Sequence, residues 1–340
     1  MNAVRVGIIG LGRMGRLHAA NVAGRVPALE LAAASDPAPD VAPAAAELGL
    51  PLTADWRELV ADPRIDAVLV CSPSEAHAEQ IVAAAEAGKH VFCEKPLDRS
   101  LEGIEHILAA VSAAGTILQV GFNRRADRNF ASLRARLEAG EIGDPWLLKI
   151  TSRDPHPQSK EYVLGSGGLF VDMAIHDFDL ARYLLGDVVA VSAAGAALVD
   201  PELAELGDVD TAVTTLGFQS GAIGVIDNCR QAAYGYDQRV EVHGALGLLA
   251  ADNEVATTVQ LADETGFHRP RLPEFFLDRY GDAYARELAL FAEAIAGAPV
   301  LADGRDGQHA VAIAVAAHTA LRERRTVALA EVLGEPVVTS

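Results

Sequence analysis

The chain has 340 residues, of which half are hydrophobic and 22% are charged, and its formal net charge is −19. This length suffices for two domains with cores of their own, and the composition is typical of a folded globular protein. The acidic balance argues against nucleic acid or an anionic membrane surface as a partner, because both are bound through clusters of Lys and Arg.

No stretch of about 18 apolar residues lacks a charge, so no transmembrane helix is expected. The N-terminus enters a strand at once, and we expect no signal peptide. The three cysteines, Cys71, Cys93 and Cys229, are widely spaced and odd in number. They are typical of small buried side chains in a reducing compartment and not of disulfides or a zinc site. A cytoplasmic location is therefore expected.

Short apolar runs alternate with Ala-rich helical segments in the first third of the chain. The predicted strands are 4–10, 29–35, 66–72, 89–94 and 115–122, with predicted helices at 74–88 and 101–115. Strands that alternate with helices of this length indicate βαβ units and a parallel sheet covered on both faces. Residues 1–122 are predicted to form an α/β Rossmann domain with a doubly wound parallel sheet.

The pattern changes after residue 122. Helices are predicted at 126–139, 169–185, 281–296 and 307–323, and turn-punctuated strands at 210–218, 221–230 and 238–244. Such strands favour a mainly antiparallel sheet with one face packed on helices. We expect residues 123–340 to form an α+β domain that binds substrate. Its open sheet face would expose apolar side chains, which favours a homo-oligomer.

Gly10, Gly12 and Gly15 form a G-x-G-x-x-G motif between the first strand and a helix. The first two glycines would let the backbone turn and approach a pyrophosphate at the positive helix end, and the third allows close helix–strand packing. Asp36 ends the second strand, where a carboxylate can accept from both adenosine ribose hydroxyls. The alternative is a tight turn with Asp36 as an ordinary helix N-cap. Because residues 37–40 contain no Lys or Arg and an acidic side chain repels a 2′-phosphate, NAD is favoured over NADP.

Lys95 is one of four lysines in a chain with 24 arginines, and it follows a predicted strand between Glu94 and Pro96. A lysine ammonium is a compact charge whose pKa responds to burial, whereas Arg stays a planar cation. This difference favours a reactive role for Lys95 at the carboxyl edge of the sheet, where ligands bind. A turn of this kind also tolerates a cis Lys95–Pro96 bond.

A polar stripe occurs in "GSGGLFVDMAIHDFDLARYLLG". If the segment is one helix from about residue 169, Asp172, His176, Asp179 and Tyr183 share a face. The stripe is either solvated or lines a cavity. His moves protons near neutral pH, and a carboxylate one turn away can orient its ring. No H-E-x-x-H zinc pattern is present, and hydride transfer from an alcohol needs no metal where a base is available, so no metal is expected.

The glycine motif, "AGKHVFCEKPL" and the D-x-x-x-H segment together resemble the Gfo/Idh/MocA oxidoreductases over nearly the whole chain. "SRDPHPQSKEYVLGSGGLFVDMAIHDFDLARYLLG" and "DNCRQAAYGYDQRVEVHG" resemble the inositol 2-dehydrogenase branch. The resemblance implies NAD-dependent oxidation of a cyclic polyol, with myo-inositol to its 2-keto product as the expected reaction, in a homotetramer. Another inositol isomer or an aldose is the alternative within this class, and a non-catalytic cofactor-binding regulator is the alternative outside it.

The resemblance also implies roles for individual residues. The implied catalytic trio is Lys95, Asp172 and His176, in which His176 takes the hydroxyl proton, Lys95 hydrogen-bonds the reacting oxygen, and Asp172 holds His176 or Lys95 in place. The residues implied at the cofactor are Gly10, Gly12, Arg13, Met14, Gly15, Asp36, Ser72, Pro73, Glu94 and Asn123. The residues implied at the substrate are Arg125, His156, Asp179, Tyr236 and Tyr280, with Gln158 beside His156 in a loop that varies within such families.

Overall fold

The computed structural model describes residues 3–335. The chain forms two compact units. The first comprises Met1–Asp127 and Asp282–Val311, and the second comprises Arg128–Gly281 and Ala312–Ser340. The first unit thus includes a late segment, Asp282–Val311, that the sequence analysis assigned to the second domain.

From residue 3 onward, the described N-terminal part of the first unit contains six strands and five α-helices. In chain order they are β1 (Val4–Ile9), α1 (Arg13–Arg25), β2 (Leu29–Ser35), α2 (Ala42–Glu47), β3 (Leu52–Thr53), α3 (Trp56–Ala61), β4 (Ala67–Val70), α4 (His77–Glu86), β5 (His90–Cys93), α5 (Leu101–Ala114) and β6 (Leu118–Val120). The strands are all parallel, in the order β3-β2-β1-β4-β5-β6. This is the strand order of a Rossmann fold and confirms the predicted doubly wound sheet.

Burial along the central strands explains this arrangement. All four residues of β4 are buried, as are the last three of β5. Strands buried without alternation are typical of a parallel sheet that is covered on both faces. The carboxyl ends of these strands carry the predicted site residues that follow them in the chain.

The remaining elements follow in chain order. They are α6 (Arg128–Glu138), β7 (Pro145–Arg153), α7 (Lys160–Ser166), α8 (Gly168–Asp172), α9 (Ile175–Leu185), β8 (Val188–Ala196), β9 (Thr211–Phe218), β10 (Ile223–Cys229), β11 (Asp237–Gly244), β12 (Gly247–Ala251), β13 (Leu261–Asp263), β14 (Gly266–His268), α10 (Phe276–Ile295), α11 (Gly304–Glu323), β15 (Val327–Ala328) and α12 (Leu329–Leu333). The division between units falls within α10, after Gly281, and within α11, after Val311.

The second unit is built on a seven-stranded sheet in the order β12-β11-β7-β10-β9-β8-β15. Among the described residues, β7 and β10 pair in parallel, and the other pairs of this sheet are antiparallel. Buried and exposed positions alternate along β9 and β11. The predicted α+β architecture with a mainly antiparallel open sheet is therefore confirmed, and β7, β8, β12 and β15 add four strands that were not predicted.

The prediction of one helix over 169–185 is wrong. The first helix, α8, ends at Asp172, and α9 begins at Ile175. The amides of Met173 and Ala174 both donate to the Leu169 carbonyl, each at 3.0 Å. The second of these bonds spans five residues and inserts an extra residue into the turn, which rotates the following chain by roughly 100°. Asp172 and His176 therefore do not lie on one continuous helix face.

Within residues 3–335, no helix combines the length and the apolar character needed to cross a membrane.

Candidate active site

The glycine turn after β1 has the geometry that a dinucleotide requires. Gly10 has φ +93°, a left-handed conformation that favours glycine. A Cβ at Gly15 would lie 1.9 Å from the Gly10 carbonyl oxygen, so the third glycine is needed for close packing. A Cβ at Gly12 would meet nothing within 4 Å. The space beside the N-terminus of α1 is therefore open to a pyrophosphate.

Asp36 is fixed beside this turn by two backbone amides. Its Oδ2 accepts from Leu11 at 2.7 Å, and its Oδ1 accepts from Ala38 at 2.9 Å. The short 3-10 helix that follows begins at Pro39 and has Ala38 as its N-cap, so Asp36 is not the N-cap. The remaining lone pairs of a carboxylate oriented in this way can accept from ribose hydroxyls. Arg13 is exposed and Met14 half-buried in the first turn of α1.

The ends of β4 and β5 are linked by His77, which the sequence analysis did not identify. The ring lies with Nδ1 2.7 Å from the Pro96 carbonyl oxygen and Nε2 2.9 Å from the Ser72 carbonyl oxygen. Burial lowers the pKa of His77 by disfavouring the imidazolium, against the opposing effect of these two carbonyls. Ser72 Oγ donates to Gln80 Oε1 at 2.6 Å, and the neighbouring Pro73 is exposed.

Lys95 directly follows β5 and is half-buried, and the Lys95–Pro96 peptide bond is cis, as expected. Asn123 is buried, and its Nδ2 has no hydrogen-bond partner among residues 3–335. A buried N–H that lacks an acceptor costs about 1–3 kcal/mol. The Asn123 amide is thus a candidate donor to a ligand. Together with the glycine turn and Asp36, it fits a bound NAD.

Two residues that were predicted at ligands have protein partners. The Glu94 carboxylate is buried and accepts from His18 Nε2 of α1 at 2.6 Å. Arg125 forms an ion pair with Asp306, with Nη2 2.9 Å from Oδ1, and it also donates to the Leu301 carbonyl at 3.0 Å. These contacts give both side chains a structural role. Their predicted roles at the cofactor and the substrate stay predictions.

In the second unit, Tyr162 and Arg230 both donate to Asp172. Tyr162 Oη donates to Oδ1 at 2.9 Å, and Arg230 Nη1 donates to Oδ2 at 3.2 Å. Arg230 is buried, and its Nε and Nη2 have no partner within the described part of the chain. A buried cation that is hydrogen-bonded to the carboxylate keeps that carboxylate in one orientation. His176 is half-buried in the first turn of α9.

The predicted substrate residues of the second unit lie in different environments. Tyr236 and Tyr280 are both buried, and their rings meet edge to face with centroids 6.1 Å apart. Asp179 is completely buried in α9, whereas His156 is exposed in the loop before α7. The structure thus brings Tyr236 and Tyr280 together and leaves the substrate roles of all four residues as predictions.

Sequence reasoning missed Tyr162, Arg230 and His77. Arg230 and Tyr162 occur in the segments that carry the family resemblance, but nothing local distinguishes them from surface residues. Arg230 lies 58 residues from Asp172 in sequence, so only tertiary pairing reveals its role. His77 begins α4, a position at which a histidine is ordinarily solvated.

A Rossmann sheet, a glycine turn at a helix N-terminus and a fixed acidic side chain beside it define a dinucleotide-binding protein. Residues 4–122 match the family model "Oxidoreductase family, NAD-binding Rossmann fold", and residues 130–250 match the "GFO/IDH/MocA C-terminal domain". The chain belongs to the GFO/IDH/MocA family and is an NAD-binding oxidoreductase.

Similarity to individual proteins extends over both units. The myo-inositol 2-dehydrogenase of Thermotoga maritima is 48% identical, with 97% of this chain and 100% of that protein covered. The inositol 2-dehydrogenase of Rhizobium meliloti is 43% identical, with 96% of this chain and 99% of that protein covered. The crystal structure of scyllo-inositol dehydrogenase from Lactobacillus casei with bound NAD(H) and scyllo-inositol has a TM-score of 0.90 at 32% identity, with 96% and 99% covered.

Proposed function

We propose that the protein oxidises the 2-hydroxyl of myo-inositol to a ketone with NAD as the hydride acceptor. The observation that carries this proposal is the 48% identity to the Thermotoga maritima myo-inositol 2-dehydrogenase over the full length of that protein. A match that runs through both units includes the residues proposed at the substrate as well as those at the cofactor. A bound NAD supplies the hydride acceptor, and the side chains of this chain orient the hydroxyl and move its proton.

Lys95 is proposed to donate a hydrogen bond to the reacting oxygen. A compact ammonium at this position stabilises the alkoxide charge that develops as the hydroxyl loses its proton. The half-buried position of Lys95 at the carboxyl end of β5 supports this role, because ligands of doubly wound sheets bind at that edge.

His176 is proposed as the base that takes the hydroxyl proton, and Asp172 as the carboxylate that holds His176 or Lys95 in place. Support for Asp172 comes from its own restraint by Tyr162 and Arg230, because a carboxylate can orient a base only if it is itself held in place. The proton passes from the substrate hydroxyl to the imidazole nitrogen, while the electron pair of the C–H bond leaves as hydride.

A second candidate substrate is scyllo-inositol, because a scyllo-inositol dehydrogenase has the same fold with a TM-score of 0.90. Steady-state rates with myo-inositol, scyllo-inositol and glucose, read from the absorbance of reduced NAD, distinguish these substrates. We expect kcat/KM for myo-inositol to exceed the others by about tenfold or more, which corresponds to about 1.4 kcal/mol. A preference for scyllo-inositol would reassign the isomer. NAD binding without turnover of any polyol would instead favour a regulatory protein.

We further propose a homotetramer formed through the open sheet face of the second unit. Leu147 and Ile223 are exposed and lie opposite each other on β7 and β10, and Val213 is exposed on β9. Exposed apolar side chains clustered on a sheet usually mark an interface. Light scattering should give the mass of four chains, and Ile223→Glu should reduce it. Phe267→Glu, on the separate β13–β14 hairpin, is the control, and a monomeric parent would contradict the proposal.

A cytoplasmic location is proposed as well. Its support is that Cys71, Cys93 and Cys229 are all free thiols, as is usual in a reducing compartment.

A further inference from the structure

A buried cluster of three titratable side chains lies in the first unit, and one of its members directly precedes Lys95 in sequence. It consists of His18 from α1, Glu94 after β5 and Glu287 from α10. His18 and Glu287 are completely buried, and Glu94 is nearly so. One nitrogen or oxygen atom from each residue lies within 4.8 Å of the others. Among them, His18 Nε2 and Glu94 Oε1 are in direct hydrogen-bond contact at 2.6 Å.

The surroundings of the cluster are apolar. The His18 ring meets Phe92 edge to face at 5.1 Å between centroids and Tyr284 at 5.9 Å. Gly121 packs closely on the same cluster, because a Cβ there would lie 3.2 Å from Glu94 Oε2 and from the Phe92 ring. An ionised group in such a pocket must be compensated by a nearby opposite charge or take up a proton.

Glu287 lacks that compensation. Neither of its carboxyl oxygens has a hydrogen-bond partner among residues 3–335. Burial, together with the nearby Glu94 carboxylate, raises the pKa of Glu287 well above its ordinary value of 4.5. His18 is the only basic side chain in the cluster, and it is already hydrogen-bonded to Glu94. A single positive charge cannot offset two ionised carboxylates in this pocket.

The other groups near Glu287 do not change this balance. Gln119 of β6 donates to the backbone carbonyl of Glu287 at 2.9 Å and not to its carboxyl group. Cys71 follows β4 and Cys93 ends β5. Burial and the nearby Glu94 carboxylate raise the pKa values of both thiols well above 9.0, so both thiols are neutral. None of these groups supplies a positive charge.

A metal ion is the other cation that such a donor set suggests. Two ligand atoms bound to one zinc ion at about 2.0–2.2 Å each lie roughly 3 Å or more apart. The separation of 2.6 Å between His18 Nε2 and Glu94 Oε1 is instead that of a short, charge-assisted hydrogen bond. These two atoms are therefore joined by a hydrogen bond and do not both bind one metal ion.

We propose that Glu287 is a neutral carboxylic acid and that, with His18, it positions Glu94 and thereby the adjoining Lys95. The Glu94 amide donates to the Val70 carbonyl at 2.9 Å, and its carboxylate is tied to α1 through His18. A second ionised carboxylate would compete for the His18 proton and repel Glu94. The kinetic consequence rests on the proposed role of Lys95, whereas the protonation of Glu287 does not.

The protonation is tested first by infrared spectroscopy of the full-length protein at neutral pH. The parent should show the C=O stretch of a protonated carboxyl group, which Glu287→Gln should lose. Glu293→Gln is the matched control, because Glu293 is an exposed glutamate on the same helix. Absence of the band from the parent, or its loss in the control, would overturn the proposal. Metal bound in a one-to-one ratio by the purified parent would overturn it as well.

The pH dependence of unfolding gives a second test with a defined sign. Above about pH 4.5 the unfolded chain releases the Glu287 proton while the folded chain keeps it, so the parent loses stability as the pH rises toward the folded pKa. Relative to Glu287→Gln, the unfolding constant of the parent should rise by up to about tenfold per pH unit in this range. Parallel curves for the two proteins would contradict the proposal.

A kinetic comparison tests the positioning. Glu287→Leu should lower kcat by roughly tenfold or more, because displaced reacting groups lose rate steeply. Glu287→Gln, which keeps the shape and neutrality of the acid, should recover most of that loss. Equal kcat values for the leucine variant and the parent would refute positioning. The spectroscopic and unfolding tests use no substrate, so they remain decisive if the proposed polyol is wrong.

Discussion

Arg230→Met removes the buried cation that lies beside Asp172. Arg230 Nη1 is 3.2 Å from Asp172 Oδ2, and both side chains are buried. At this distance, with an effective dielectric constant of about 20, the attraction is about 5 kcal/mol. Removing one partner of a buried pair costs about 3–5 kcal/mol, because the remaining charge stays desolvated. Tyr162 still donates to Asp172 at 2.9 Å, so we expect a loss of about 3 kcal/mol.

A double-mutant cycle measures this pair directly. Denaturant unfolding of the parent, Arg230→Met, Asp172→Asn and the double variant gives the four free energies. Asp172→Asn should also destabilise, since Arg230 would keep its charge in a buried site. The double variant removes both charges, so its loss of stability should be smaller than the sum of the two single losses by a coupling energy of about 2 kcal/mol. Arg128→Met is the control, because Arg128 pairs with Glu254 at the surface and should contribute at most about 1 kcal/mol.

Stability and catalysis should separate in the double variant. The double variant should fold, and its free energy of unfolding should be close to that of one of the single variants, or higher. Its kcat should nevertheless remain roughly a hundredfold or more below that of the parent, because the carboxylate proposed to orient the base is gone. Two outcomes would refute the buried ion pair as the restraint on Asp172. Each single substitution could lower the free energy of unfolding by less than about 1 kcal/mol, or the effects of the two substitutions could add without a coupling energy.

The remaining predictions concern the cofactor and the proton transfer. Asp36→Ser combined with Pro37→Arg should weaken the preference for NAD and allow NADP to be used, which is measured as kcat/KM for each cofactor. A parent protein that reduces NADP faster than NAD at equal concentration would contradict the role of Asp36. His176→Ala and Lys95→Met should each lower kcat by roughly a hundredfold or more, and Lys95→Arg should not restore it. Calorimetry should show that the affinity for NAD changes little in His176→Ala. If His176→Ala turned over every polyol at nearly the rate of the parent, the base would be another residue.

The fold of the first unit could be predicted from sequence patterns that extend over a few neighbouring residues. Alternation of apolar runs with Ala-rich helices indicated a parallel sheet, and Gly10, Gly12 and Gly15 marked the dinucleotide turn. The structure accounts for Gly10 by its positive φ and for Gly15 by a contact too close for a Cβ, whereas a Cβ at Gly12 would meet nothing within 4 Å. Asp36 was recognised from its place at the end of a strand. In each case the signal lies within a few residues of the feature that it predicts.

The break between α8 and α9 shows where local rules end. Periodicity alone predicted a continuous helix, because the residues around Met173 and Ala174 include no proline that would interrupt one. The wider turn to the Leu169 carbonyl changes which side chains share a face. A pattern of side-chain types is consistent with several backbone paths of this kind, and packing selects among them.

The sequence by itself determined the elements whose signals are local: the Rossmann strands, the glycine turn, the strand-end carboxylate of Asp36 and the family. Tertiary structure alone decided which distant side chains meet. Glu94 pairs with His18 from 76 residues away, and Asp172 with Arg230 from 58 residues away. Such partners cannot be identified from spacing, because the free energy that pairs them arises only after folding removes water from both groups.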